Sequence, residues 1–121
     1  MNIYKALSVV APAGDNIHAG RKTLEIRDWV PEELPLRNLV IIQNRTRLSS
    51  NGITEDPDGE AVAIVDIETI TDWQEEELEA ACASHWEQGW KAWQLSNVRP
   101  LHLAERFPAR LRIYNVELPD L

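Results

Sequence analysis

The run Gly20-Arg21-Lys22-Thr23-Leu24-Glu25-Ile26-Arg27 places an ammonium, a hydroxyl, a carboxylate and a guanidinium within a few residues of one another. From Thr23 to Arg27 polar and apolar residues alternate strictly. On a strand, period two puts Leu24 and Ile26 on one face and Thr23, Glu25 and Arg27 on the other. One face is expected to pack a core while the other presents three polar groups in a row. Lys22 is one of only three lysines in the chain. A lysine partly withdrawn from water can give up its proton and act as a base. Glu25 opposes that by favouring the ammonium, unless it joins a proton relay. The competing reading of this segment by itself is a surface ion-pair cluster of Lys22, Glu25 and Arg27.

Elsewhere the chemistry-bearing residues are sparse. His18, His85 and His102 are isolated, and there is no His-x-x-x-His pair, cysteine pair or Asp-rich calcium loop, so neither a metal nor another cofactor is expected. No nucleophile elbow, phosphate-cradling glycine loop or dinucleotide fingerprint occurs. Cys82, the single cysteine, excludes an internal disulfide and is expected in the core of an amphipathic helix. Of the five tryptophans, Trp73, Trp86 and Trp90 are expected to pack, whereas Trp29 and Trp93 are equally candidates for stacking on a nucleobase.

Charge is distributed in blocks. The chain has 121 residues and a net charge of −8, which argues against a nonspecific duplex binder, since phosphate binding is driven by Lys and Arg. Residues 21–47 nevertheless hold six bases against four acids, residues 48–90 twelve acids and no base, and residues 91–112 five bases against Glu105. If the two basic blocks meet in space, an anion site can exist on an acidic protein. One domain is expected over residues 1–121. No apolar run is long enough to cross a membrane and the N-terminus lacks signal-peptide character, so a cytoplasmic protein is expected.

The elements that must position these groups read as strand, short helix, strands, helix, strands. Ala6 to Val10 forms a strand, and Pro12 to Ala19 a short helix with Gly20 at its C-terminal end. Leu39 to Ile42 is a continuous apolar run suited to a central strand. Asn51-Gly52 and Asp58-Gly59 signal turns of a loop, and Glu60 to Ile70 a long strand. Asp72 and Glu75 have capping-box spacing and predict a helix through Ala83. Trp93 to Val98 and Leu111 to Val116 complete the strands, with Pro100 and Pro108 between them. Connections this short do not suit a doubly wound sheet. The fold class is α+β, mostly β: a small β-barrel or curled sheet flanked by short helices.

Taken together, Ala6-Leu7-Ser8, Pro12, the Gly20-to-Trp29 segment and Trp93-Gln94-Leu95-Ser96-Asn97-Val98-Arg99-Pro100-Leu101 resemble the ASCH domain family of the PUA-like superfamily. The resemblance covers nearly the whole chain. It implies a PUA-like β-barrel, a cleft beside the Lys-Thr-x-Glu-x-Arg strand, and RNA or a nucleoside-type small molecule as partner. A binding cleft of that kind would use Arg27, Arg45 and Arg99 on phosphate or carbonyl groups, Thr23 beside them, Trp29 or Trp93 for stacking and Glu25 on a base edge. Some small members are amidohydrolases on N-acetylcytidine, with a catalytic Lys that Lys22 matches, a Thr whose position is taken here by Glu25, and a downstream Glu to be sought among Glu75, Glu76, Glu77, Glu79 and Glu87. The alternative function is therefore a hydrolase with Lys22 as base and Glu25 assisting, acting on an acylated nucleoside or on RNA.

Overall fold

Leu39, Val40, Ile41 and Ile42 are each 0% exposed in the computed structural model, which describes residues 1–120. They lie in β3 (Leu36–Asn44), which pairs in parallel with β1 (Asn2–Val10) and antiparallel with β4 (Glu55–Asp72). A strand covered on both faces needs apolar residues at every position. Leu39 and Ile41 point into one core with Leu7, Val65, Ile67 and Trp93, while Val40 and Ile42 point into another with Ala6, Ile64, Phe107 and Val116.

The remaining elements are α1 (Ala13–His18), β2 (Leu24–Arg27), β5 (Lys91–Pro100), β6 (Phe107–Arg110) and β7 (Ile113–Leu118). The sheet runs β2-β5-β4-β3-β1-β7, with β6 paired to the first part of β4. The mostly β, α+β class agrees with expectation, but the sheet is not closed into a barrel. β2 and β7 stand at its two ends, and the carbonyl of Ala80 accepts from the N–H groups of Thr23 (2.8 Å) and Leu24 (3.2 Å), so a loop rather than a strand occupies β2's N-terminal end. Curling comes instead from the long β4, whose ladders with β3, β5 and β6 all contain register shifts.

Three local readings change. The helix expected over Asp72–Ala83 is absent: β4 continues through Asp72 and only a single 3-10 turn forms at Glu75–Glu77. Its start is Gln74, whose N–H donates to the Glu77 carboxylate at 2.9 Å. Adjacent acids at Glu75, Glu76 and Glu77, with Glu79 one turn on, repel along a longer helix. The segment at Phe107–Arg110, expected to lie between strands, is itself a strand; it is laddered only to β4, and an edge strand tolerates proline. Gly59, expected in a turn, lies inside β4 where β6 crosses it. A β-carbon there would sit 2.5 Å from the Ile42 side chain and 2.6 Å from the Phe107 carbonyl.

By contrast, α1 ends as expected. Gly20 takes φ +81 and the N–H groups of Arg21 and Lys22 both donate to the Asn16 carbonyl, at 2.9 and 3.0 Å. This turn delivers Lys22 to the start of β2. Gly59→Ala is expected to lower stability by about 1–3 kcal/mol, the usual range for overpacking against backbone that cannot retreat; a urea titration checks it.

Candidate functional site

β2 alternates as its sequence demands, but its polar face does not meet bulk water. Glu25 is 6% exposed and Lys22 7% exposed. Both line a cleft of about 640 Å³, together with Arg27, Trp29, Ser8, Cys82 and Trp90. That volume is in the range that holds one nucleoside-sized molecule.

A linked set of polar contacts runs along the cleft. Lys22 Nζ donates to the Ala81 carbonyl at 2.7 Å and lies 3.3 Å from Glu25 Oε1. Glu25 Oε2 accepts from Arg27 Nε at 2.9 Å, and Arg27 Nη2 donates to the Ser8 carbonyl at 2.8 Å. Glu25 thus sits between two cations, the arrangement a buried carboxylate requires. The ammonium keeps one N–H beyond these two neighbours, and Arg27 Nη1 has no protein partner among the described residues. Spare donors and spare carboxylate lone pairs therefore face one concavity. Beside them, Tyr114 gives its hydroxyl proton to the Pro108 carbonyl (2.8 Å), so the Ser8 hydroxyl donates to the phenol oxygen (2.8 Å) while accepting from the Arg110 N–H (3.0 Å). This ties β1, β6 and β7 together at the cleft wall. Burial pushes the Tyr114 phenol above its usual range.

The expected site residues divide sharply. Lys22, Glu25, Arg27 and Trp29 converge. Trp93 does not offer a stacking face: it is 0% exposed, packed edge-on against Trp29 with ring centroids 5.0 Å apart. It is the wall behind Trp29, and Trp90, at 40% exposure, lines the cleft instead of simply packing. Thr23 is exposed beside Ala80 and outside the cleft lining, and Arg45 points to Glu60 at 3.8 Å.

Arg99 is placed elsewhere too. Trp93 pairs with Glu25 across the β2/β5 ladder, and six residues of strand carry Arg99 about 20 Å further. There Arg99 donates to Asp66 (2.9 Å), Asn38 Oδ1 (2.7 Å) and the Asn97 carbonyl (3.0 Å). Asn38 and Asn97 hold positive φ beside the register shifts of β3/β4 and β4/β5, where Asn is tolerated. Arg99 locks those strands together. The Asn38 N–H, then the Asn97 amide and Arg99, hold the Asp66 carboxyl below its usual range.

Sequence reasoning missed Arg47, Arg110 and Arg112, all of which line the cleft. The block pattern of charge was the available signal, since Arg47 closes the first basic block and Arg110 and Arg112 close the second. Cys82, expected in the core, is exposed at the cleft with φ 52 because the helix meant to bury it does not form. None of Glu75, Glu76, Glu77, Glu79 and Glu87 lines the cleft. Among the described residues no group of His, Cys, Asp and Glu could hold a metal ion, and no helix is long and apolar enough to cross a membrane.

Two changes test these networks. Glu25→Ala strands two cations and is expected to cost about 3–5 kcal/mol in a denaturant titration. Asp66, with its folded value depressed, contributes stability that is present above the unfolded value near pH 4 and is lost as pH falls through the folded value. Acid titrations followed by circular dichroism should show that loss in the wild type and a shallower one in Asp66→Asn.

Comparison with known proteins places these observations. The family model described as ASCH domain matches residues 7–105. No curated protein matches the chain. A crystal structure of a tyrosine-to-phenylalanine variant of ZmASCH from Zymomonas mobilis is similar over 89% of each chain, at 18% identity and TM-score 0.50. A serine-to-alanine variant of the same protein is similar over 89% of this chain and 87% of that one, at 18% identity and TM-score 0.47. At such identity the first of these speaks to the fold.

Proposed function

The chain belongs to the ASCH domain family, and from that premise we propose that its cleft binds RNA or a modified nucleobase or nucleoside, with Lys22, Glu25 and Arg27 at the centre of recognition. The observation that carries the reading is the buried Lys22–Glu25–Arg27 network facing a concavity of about 640 Å³. A base edge presents donors and acceptors together. Glu25 accepts from its amino or imino groups, and Lys22 and Arg27 Nη1 donate to its carbonyls. These directions are set before the ligand arrives, because the side chains are already held by Ala81, Ser8 and one another. Trp90 supplies an exposed indole for stacking, a contact every base can make. An acidic protein with such a pocket selects a single unstacked base; a duplex would have to approach its acidic surface.

A second reading, hydrolysis with Lys22 as base, is favoured by one distance: Lys22 Nζ lies 3.3 Å from Glu25 Oε1, short enough for a proton to pass between them. Against it, none of Glu75, Glu76, Glu77, Glu79 and Glu87 lines the cleft to assist Lys22. The binding reading therefore leads.

Titration at low salt with a nucleoside panel and single-stranded RNA, followed by tryptophan fluorescence, should show binding that Arg27→Ala weakens about tenfold to a hundredfold, the loss expected when a charge-assisted hydrogen bond is removed. Absence of binding to every ligand, or an unchanged affinity in Arg27→Ala, overturns the reading. Incubation with acetylated cytidine and with RNA tests the second: turnover abolished in Lys22→Ala supports hydrolysis, and turnover that persists removes Lys22 from it.

A further inference from the structure

Every ion pair of the molecule can be set against the net charge of −8, carried by 20 acids and 12 Lys and Arg residues. With acids in such excess, a cation anywhere on the surface should find a carboxylate. Nine of the twelve do, among the described residues: Lys5, Lys22, Arg27, Arg37, Arg45, Lys91, Arg99, Arg106 and Arg110. Arg21 instead donates to the Asn16 side chain, outside the cleft lining. The other two, Arg47 and Arg112, both line the cleft. Among the described residues the acids lining it are Glu25, already bridging two cations, and Asp28.

We infer that Arg47 and Arg112 form a phosphate subsite at the mouth of the cleft, so that its ligand is a phosphate-bearing nucleotide, free or within a single RNA strand. The inference rests on the base-binding reading above and adds the charge the ligand must carry. Arg112 is prepared for the task. Its guanidinium carbon lies 4.1 Å from the centroid of the Trp29 ring, and Trp29 is braced edge-on by the buried Trp93. A guanidinium stacked by its face leaves its N–H edges free, and that planar fork fits two phosphate oxygens. Stacking also restricts its rotamers in advance, which lowers the entropy lost on binding.

Arg112 occupies the two-residue connection between β6 and β7, and Arg47 follows β3. The two basic blocks of the sequence are thus brought to one opening by the β1–β3 and β1–β7 ladders. Arg110 lines the same cleft, but its charge is already paired with Glu55 through Nε at 2.9 Å, so it attracts an anion less than an unpaired arginine does. A terminal phosphate carries close to two negative charges at neutral pH, which two unpaired arginines match. A neutral nucleoside would leave both unanswered.

The test compares four probes on the full chain: cytidine, cytidine monophosphate, a short single-stranded oligoribonucleotide and inorganic pyrophosphate. At low salt the monophosphate or the oligoribonucleotide should bind at least about tenfold tighter than cytidine. The double variant Arg47→Ala, Arg112→Ala should lose that excess and its pyrophosphate binding while keeping cytidine affinity. Both side chains are exposed, so the melting temperature should fall only by the small contribution of the Arg112–Trp29 stack, with the fold retained. Independently of any variant, wild-type affinity for the oligoribonucleotide should fall with log salt more steeply than that for cytidine, by about 0.7 per phosphate held.

Equal affinity for the monophosphate and the oligoribonucleotide assigns a free nucleotide, and a large excess for the latter assigns a strand. The subsite is overturned if neither phosphorylated probe exceeds cytidine, or if the excess and pyrophosphate binding survive in the double variant. Pyrophosphate binding that is lost in the double variant, with no binding of any nucleoside or RNA, overturns the base reading and leaves the phosphate subsite standing. Silence from all four probes overturns both.

Discussion

A carboxylate withdrawn from water must have cations or hydrogen-bond donors beside it, and at Glu25 that requirement organises half the molecule. Lys22 reaches it only because Gly20 ends α1 in a left-handed turn and passes the chain directly into β2. Arg27 reaches it because two residues along a strand return to the same face, and the Ser8 carbonyl at the end of β1 fixes the other side of the guanidinium. Ala81 anchors the Lys22 ammonium from the segment that replaces the expected helix. Helix, two strands and loop all converge on one acid.

A second buried carboxylate, Asp66, answers the same requirement with a different result. Its oxygens take the Asn38 N–H, the Asn97 amide and Arg99, all at sites where the ladders slip register. Every donor group of Arg99 is directed at the protein, whereas Arg27 keeps one nitrogen free. One network holds strands together. The other faces a void. The two arginines therefore differ in the number of donors left over and in what those donors point at.

Electrostatics separates the cleft from the rest of the surface. The twelve acids of residues 48–90 contribute no lining carboxylate to the cleft. Its five cationic side chains come from the two flanking blocks, against Glu25 and Asp28. On a chain of net charge −8, a cleft lined by five cations and two acids is locally positive against an acidic background.

Several features were legible in adjacent residues: the alternation of β2, the Gly20 cap, the apolar run of β3, and the resemblance that names the family. Each depends on spacing within a few positions, where period and backbone preference act directly. Other features depended on partners distant in the chain. The 72–83 segment forms no helix because β4 runs on through Asp72, paired with Lys91, and Cys82 turns to φ 52. Trp93 is wall rather than platform because Trp29 covers it, and Arg99 is distant because the β2/β5 ladder spans only the beginning of β5. Arg47 and Arg112 line one cleft only through the pairing of β1 with both β3 and β7. The sequence by itself determined which faces are apolar and which segment carries the reactive groups. Only the tertiary structure decided which charges share a cavity, because strand register, a long-range pairing choice, sets what each outward side chain meets.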